Sequence, residues 1–146
     1  SASDIAGTHL QAVQRPEARA QRALQYRAMD QLIQTHTEND GRPVLIIGDL
    51  NTRASDRTAY HEMLSVLRAN DQPIDDPRPY TIDQQNTWKS DDEDRNQQLD
   101  YVLWRQDKTT IEMVAQRILR LQRTWRDQPM DLSDHYGIAA QIRWSF

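Results

Sequence analysis

The stretch that most constrains the fold is "PVLIIGDLN", residues 43–51. Val44, Leu45, Ile46 and Ile47 follow one another without a polar break, and three of the four are β-branched. A run of that kind has no hydrophilic side to turn to water, so it predicts a strand buried on both faces. It empties into Gly48-Asp49-Leu50-Asn51, which sets a carboxylate and a carboxamide two positions apart at the strand end. Taken alone the pair fits an Asx turn that closes the strand. It equally fits a site that a rigid strand holds in place.

The flanking sequence predicts helices on either side of this strand. Residues 16–37 place Ala20, Ala23, Leu24, Met29, Leu32 and Ile33 near a 3.6-residue period, with Pro16 at the start and Asn39-Asp40-Gly41 at the stop. Past the strand, Ser55 or Asp56 is placed to cap a second helix whose Tyr60, Met63, Leu64 and Leu67 share one face. An earlier short strand is expected over Ile5 to His9. Helix, strand and helix joined by short turns is α/β grammar. Residues 70–98 are rich in Pro and Asp and predict a long loop, with one short strand at Tyr80–Ile82. "LDYVLW" (99–104) predicts a strand with Asp100 inside it. The stretch 110–125 is ambiguous: Ile111, Val114, Ile118 and Leu121 fit a helical stripe, whereas "TTIEMV" and "RILRL" fit short strands. In the last segment Ile138, Ala140, Ile142 and Trp144 alternate onto one side of a strand. Trp88, Trp104 and Trp144 are expected at strand or core positions, and Trp125 at a protruding apolar tip. His36 and His61 are expected as surface or packing residues of the helices.

At 146 residues the chain has the length of one domain. Its mean hydropathy of -0.90 is low for a compact domain, although 37% hydrophobic residues can still build a core. The 18 basic and 22 acidic residues leave a net charge of -4, which supplies no overall field for nucleic acid. No apolar run is long enough for a transmembrane helix. The absence of cysteine excludes disulfides and thiolate metal ligands. There is no signal peptide in this chain, and it begins at Ser1-Ala2-Ser3-Asp4. The acidic run Asp91-Asp92-Glu93-Asp94 reads as a solvated loop, since it lacks the glycine and spacing of an EF-hand.

Four polar clusters fall at strand ends or inside a strand: Thr8-His9, Asp49-x-Asn51, Asp100 and Asp134-His135. Active sites of sheet-based α/β folds collect at such ends, where turns aim side chains that the sheet fixes. Carboxylate, amide and imidazole without thiol suit a hard cation or a phosphate. An imidazole beside a carboxylate is a ready general base. A charged Asp100 in an apolar strand demands either an exposed edge or a partner.

Taken in order, "GTHLQA", "IIGDLN", "LDYVLW" and "SDHYGI" resemble the endonuclease/exonuclease/phosphatase superfamily of metal-dependent phosphoesterases. Within it, "IAGTHLQA" and "GDLNTRASDRTAYHEMLSVLRA" are similar to the bacterial neutral sphingomyelinases, and "YTIDQQNTW" more loosely so. Thr8-His9 stands where nuclease members usually carry other residues. The resemblance implies the C-terminal half of a four-layer α/β sandwich, two packed and mostly antiparallel sheets flanked by helices. It implies a single incomplete domain over 1–146, with the main Glu and Asn metal ligands expected upstream of Ser1. It further implies that Asp49 and Asn51 orient the scissile phosphate and the attacking water, and that His135 is the general base. Asp100 would hydrogen-bond His135, Asp134 would be a metal ligand, and His9 would donate to the phosphoryl oxygen. The implied cofactor is Mg²⁺, or another divalent cation such as Mn²⁺ or Co²⁺. The implied partners are sphingomyelin at a membrane surface, and the missing N-terminal half or a second copy against an exposed sheet face. Secretion is the implied location. A nuclease or a phosphoinositide phosphatase of the same superfamily is the alternative activity, and an inactive fragment that acts by assembly is the third reading.

Overall fold

Among the described residues nine elements carry out most of these expectations, and one strand organises them. The computed structural model describes residues 4–9, 16–37, 42–88, 96–106 and 110–145, with 4–9 and Pro16 described by their backbone alone. The acidic run at 91–94 lies outside the described residues. Strand β1 (Asp4–His9) leads to helix α1 (Pro16–Thr37), strand β2 (Val44–Asp49) and helix α2 (Arg57–Leu67). Strands β3 (Asp100–Arg105), β4 (Thr110–Leu119), β5 (Gln122–Trp125), β6 (Gln128–Asp131) and β7 (Gly137–Ser145) follow. The apolar run is the central strand of the sheet β1-β2-β3, parallel to β1 and antiparallel to β3. The fold is mixed α/β, as expected.

Both helices feed one core with this sheet. Tyr26 and Ile33 of α1 and Met63 and Leu67 of α2 meet Val44 and Ile46 of β2, Leu50, and Tyr101 and Leu103 of β3. Asp56 caps α2 by accepting from the Ala59 amide at 3.1 Å, which settles the choice between Ser55 and Asp56. At the other end Arg68 adopts a left-handed conformation, and its amide returns to the last turn of α2.

The structure corrects the reading of α1. Its buried residues are Ala18, Arg22, Tyr26 and Ile33, while Leu24 and Leu32 stand 64% and 57% exposed. The inward stripe is therefore turned away from the apolar period, because a buried tyrosine and a buried arginine have polar partners to reach. Asp30, on the same helix, accepts from Arg105 of β3 at 2.7 Å and from Arg68 at 2.9 Å, which ties α1 to the sheet and to the end of α2.

The ambiguous stretch after β3 is strand. β4 pairs antiparallel with β7, from Thr110 opposite Ser145 to Leu119 opposite Gly137, with a register shift between Met113 and Ala115. β5 and β6 form a separate hairpin whose two turn residues, Arg126 and Asp127, both have positive φ. The expected strand at Tyr80–Ile82 is reduced to one bridge between Ile82 and Gln97. One tryptophan departs from the expected strand or core position: Trp88 is 52% exposed and outside any strand, whereas Trp144, 44% exposed, holds a strand position in β7. Trp88 sits in a turn where its indole N–H donates to the Asp131 carbonyl at 2.6 Å, so a polar tether holds it there. Trp144 lies near the end of β7, opposite Ile111.

Candidate active site

Sheet register brings three of the predicted positions level. His9 ends β1, Asp49 ends β2 and Asp100 begins β3; Asp49 is the register partner of both His9 and Asp100. His9 is placed by its backbone only, its side chain lying outside the described part of the chain. Gly48, just before Asp49, has φ 144, a conformation that suits glycine.

Beyond β2 the chain turns sharply, and Asn51 takes a left-handed φ of 49, which asparagine tolerates better than most residues. The Asp49 carboxylate accepts from the Asn51 amide N–H at 2.8 Å and from its side-chain Nδ2 at 2.9 Å. The acid therefore fixes the orientation of the amide. Two phenols brace this turn from beneath. The Tyr26 hydroxyl donates to the Leu50 carbonyl and bonds the Thr52 hydroxyl, while Tyr101 donates to the Thr52 carbonyl. Burial pushes both phenols above their ordinary range, so they stay neutral donors.

Across the sheet end, His135 Nδ1 lies 2.7 Å from Asp100 Oδ2. Asp100 is thus paired, as its place in an apolar strand demands. The bond to Asp100 is the largest influence on the imidazole and raises its pKa. Partial burial opposes that, and the charges of Asp100, Asp49 and Asp134 reinforce it. Donation from Nδ1 to the carboxylate leaves Nε2 as the basic nitrogen of the neutral ring. Asp134 itself is exposed, and one of its oxygens accepts from the Ser133 hydroxyl at 3.2 Å.

Residues 5–135, a span that holds all of these groups, match the Endonuclease/Exonuclease/phosphatase family. The chain belongs to that family. Among solved structures it is similar to beta toxin of Staphylococcus aureus at 23% identity and a TM-score of 0.73, covering 92% of this chain and 50% of that one. It is similar to sphingomyelinase C of Streptomyces griseocarneus at 23% identity and a TM-score of 0.60, covering 99% and 53%. It is also similar to truncated TDP2 of Caenorhabditis elegans at 24% identity and a TM-score of 0.60, covering 92% and 51%. At these identities the likeness speaks for the fold. The chain spans about half the length of these solved relatives. No curated protein sequence matches it significantly.

The family's chemistry invites the question of a cation. Among the described residues no three histidine or carboxylate groups stand together to hold a metal ion. Both oxygens of Asp49 are engaged by Asn51, and Asp134 faces solvent with Ser133 as a neighbour. These donors do not complete a site for a hard cation on their own.

The loop that holds the Asp100–His135 pair together contributes residues that were not among the expected site residues. Asn86, 1% exposed, donates through Nδ2 to the carbonyls of Ser133 at 2.9 Å and Asp134 at 3.1 Å. Asp83 accepts from the Tyr136 hydroxyl at 2.9 Å, and Asp131 accepts from Arg120 and from the Thr87 amide. The available signal was the Asp83 and Asn86 spacing, since each accepts from the amide two residues on in an Asx turn.

Proposed function

We propose that this chain carries the water-activating and phosphate-orienting part of a metal-dependent phosphodiesterase that cleaves sphingomyelin to ceramide and phosphocholine. The observation that carries the reading is the 2.7 Å Asp100–His135 bond, set at the same sheet end as the Asp49–Asn51 hook. In the neutral state the imidazole takes a proton from water as that water attacks phosphorus; the phosphorus–oxygen bond to ceramide breaks, and the departing ceramide oxygen takes a proton from solvent. Asp100 holds the ring in the tautomer that leaves Nε2 basic and stabilises the imidazolium that forms. Asn51, held by Asp49, and His9 orient the phosphoryl group. A divalent cation, Mg²⁺ or a substitute such as Mn²⁺ or Co²⁺, would supply charge neutralisation at the phosphate when bound, with Asp134 as this chain's ligand to it. A related beta toxin variant has been solved with bound magnesium ions, which supports that choice.

Two surface features support a lipid substrate over a nucleic acid. An apolar recess of about 300 Å³ lies beside His135, lined by Leu119, Leu121, Leu132 and Tyr136. Leu121 and Leu132 are more than half exposed at its edge, where a hydrocarbon leaving group would be accommodated. Trp125, 51% exposed at the hairpin turn, has the Arg123 and Arg126 guanidiniums 5.2 and 5.8 Å from its ring. An aromatic ring beside cations suits the headgroup layer of a membrane. Action on such a surface fits secretion, and among the described residues no helix is long and apolar enough to cross a membrane. Phosphocholine release from sphingomyelin vesicles, with and without chelator, tests the reading on a preparation that includes the remainder of a family domain. Chelator-sensitive release is the expected result. Release that ignores chelator, or cleavage of DNA in place of lipid, would overturn it.

A further inference from the structure

Asp100 and His135 are separated by 35 residues of chain, yet their side chains must meet to a fraction of an ångström. Asp100 is secured as the first residue of β3, but His135 lies in an irregular bend between β6 and β7. One buried residue touches the backbone on both sides of that gap. Thr81, 0% exposed, accepts through Oγ1 from the amides of Leu99 at 3.0 Å and Asp100 at 3.2 Å. Its carbonyl accepts from the amide of Tyr136, the residue after His135, at 2.7 Å. Its own amide donates to the Gln97 carbonyl at 2.9 Å, which anchors Thr81 to the strand approach. The side chain thus holds the Asp100 end and the main chain holds the His135 end.

We propose that Thr81 is a positioning residue that sets the Asp100–His135 contact. The inference rests on the dyad of the proposed function and concerns what fixes its geometry. The hydroxyl is what the position requires. A valine of the same shape would fill the space but leave the buried Leu99 amide and the half-buried Asp100 amide without this acceptor, and β3 would shift at the residue that carries the carboxylate. A serine would keep the acceptor and give up only the methyl group.

The test uses the full 146-residue chain without metal or substrate, and reads by NMR the low-field Nδ1 proton of His135 and its exchange with water. Asp100→Asn assigns the signal by removing it. Thr81→Ser is expected to exchange within about twofold of wild type, and folded Thr81→Val about ten-fold faster or more, the scale of one lost buried hydrogen bond. A folded Thr81→Val with an unchanged exchange rate overturns the proposal. If Thr81→Val does not fold, Thr81→Ser decides: wild-type exchange supports the proposal and a ten-fold rise (roughly the valine effect) overturns it. A Thr81-dependent signal in a protein that cleaves no phosphodiester would refute the enzymatic reading and leave the brace standing. A Thr81-independent signal in an active enzyme would do the reverse.

Discussion

His135 has one bond that matters for both charge and aim. Because the Asp100 hydrogen bond is the largest cause of its raised pKa, Asp100→Asn is expected to bring the titration midpoint down toward the ordinary 6.5. An NMR titration of the metal-free chain checks this, and a midpoint unmoved by Asp100→Asn would contradict it. The raised folded pKa has a stability consequence of fixed sign. The pair's contribution is complete below the unfolded value near 6.5 and fades as pH rises through the folded value. In an active preparation, His135→Ala is expected to lower kcat by about 10²–10⁴-fold, the range for a lost general base. Steady-state kinetics at saturating substrate measures it.

At the scale of elements, the 81–88 loop, the β4 end and the β5–β6 hairpin are joined at Asp131. Its side chain is 1% exposed and bonds Arg120 through both oxygens, at 2.7 and 2.8 Å. The Thr87 amide adds a bond at 2.8 Å, and the Asp131 amide returns one to the Thr87 hydroxyl. The Arg120 bond is the largest cause holding this carboxyl down at about 2. Asp131→Ala is expected to cost about 3 kcal/mol at neutral pH, the upper range for hydrogen bonds to a charged group. Since the folded pKa is depressed, that contribution is present above the ordinary 3.8 and is lost as pH falls through about 2. Urea unfolding of both proteins across that window should show the gap between them closing. A gap independent of pH would mean that the ion pair carries little of the stability.

For the whole molecule, the decisive fact is how far the donor set extends. The described residues bring no three carboxylate or imidazole groups together, and the chain spans about half of its solved relatives. Isothermal titration of the 146-residue chain with Mg²⁺ is therefore expected to show no tight stoichiometric binding, because affinity for a hard cation falls steeply with fewer oxygen ligands. Tight one-to-one binding would show that the residues of this chain suffice.

The elements with one consistent local signal were legible from the sequence. "PVLIIGD" could only be a buried strand, Pro16 to Thr37 had a period and an N-terminal proline, and Asp56 could cap. Asp100 was marked by its own cost: a charge in an apolar strand needs a partner. What the sequence by itself determined is therefore the α/β order and the residue types that gather at strand ends. Tertiary structure alone decided which face of α1 turns inward, because Arg22 and Tyr26 are buried while Leu24 and Leu32 remain exposed. It also made 110–119 a strand, since pairing with β7 outweighs a local pattern that fits either period. And it assigned Thr81 and Asn86 their places beside the dyad. Their side chains are ordinary loop chemistry, and long-range hydrogen bonds across the fold are what tie them to the dyad.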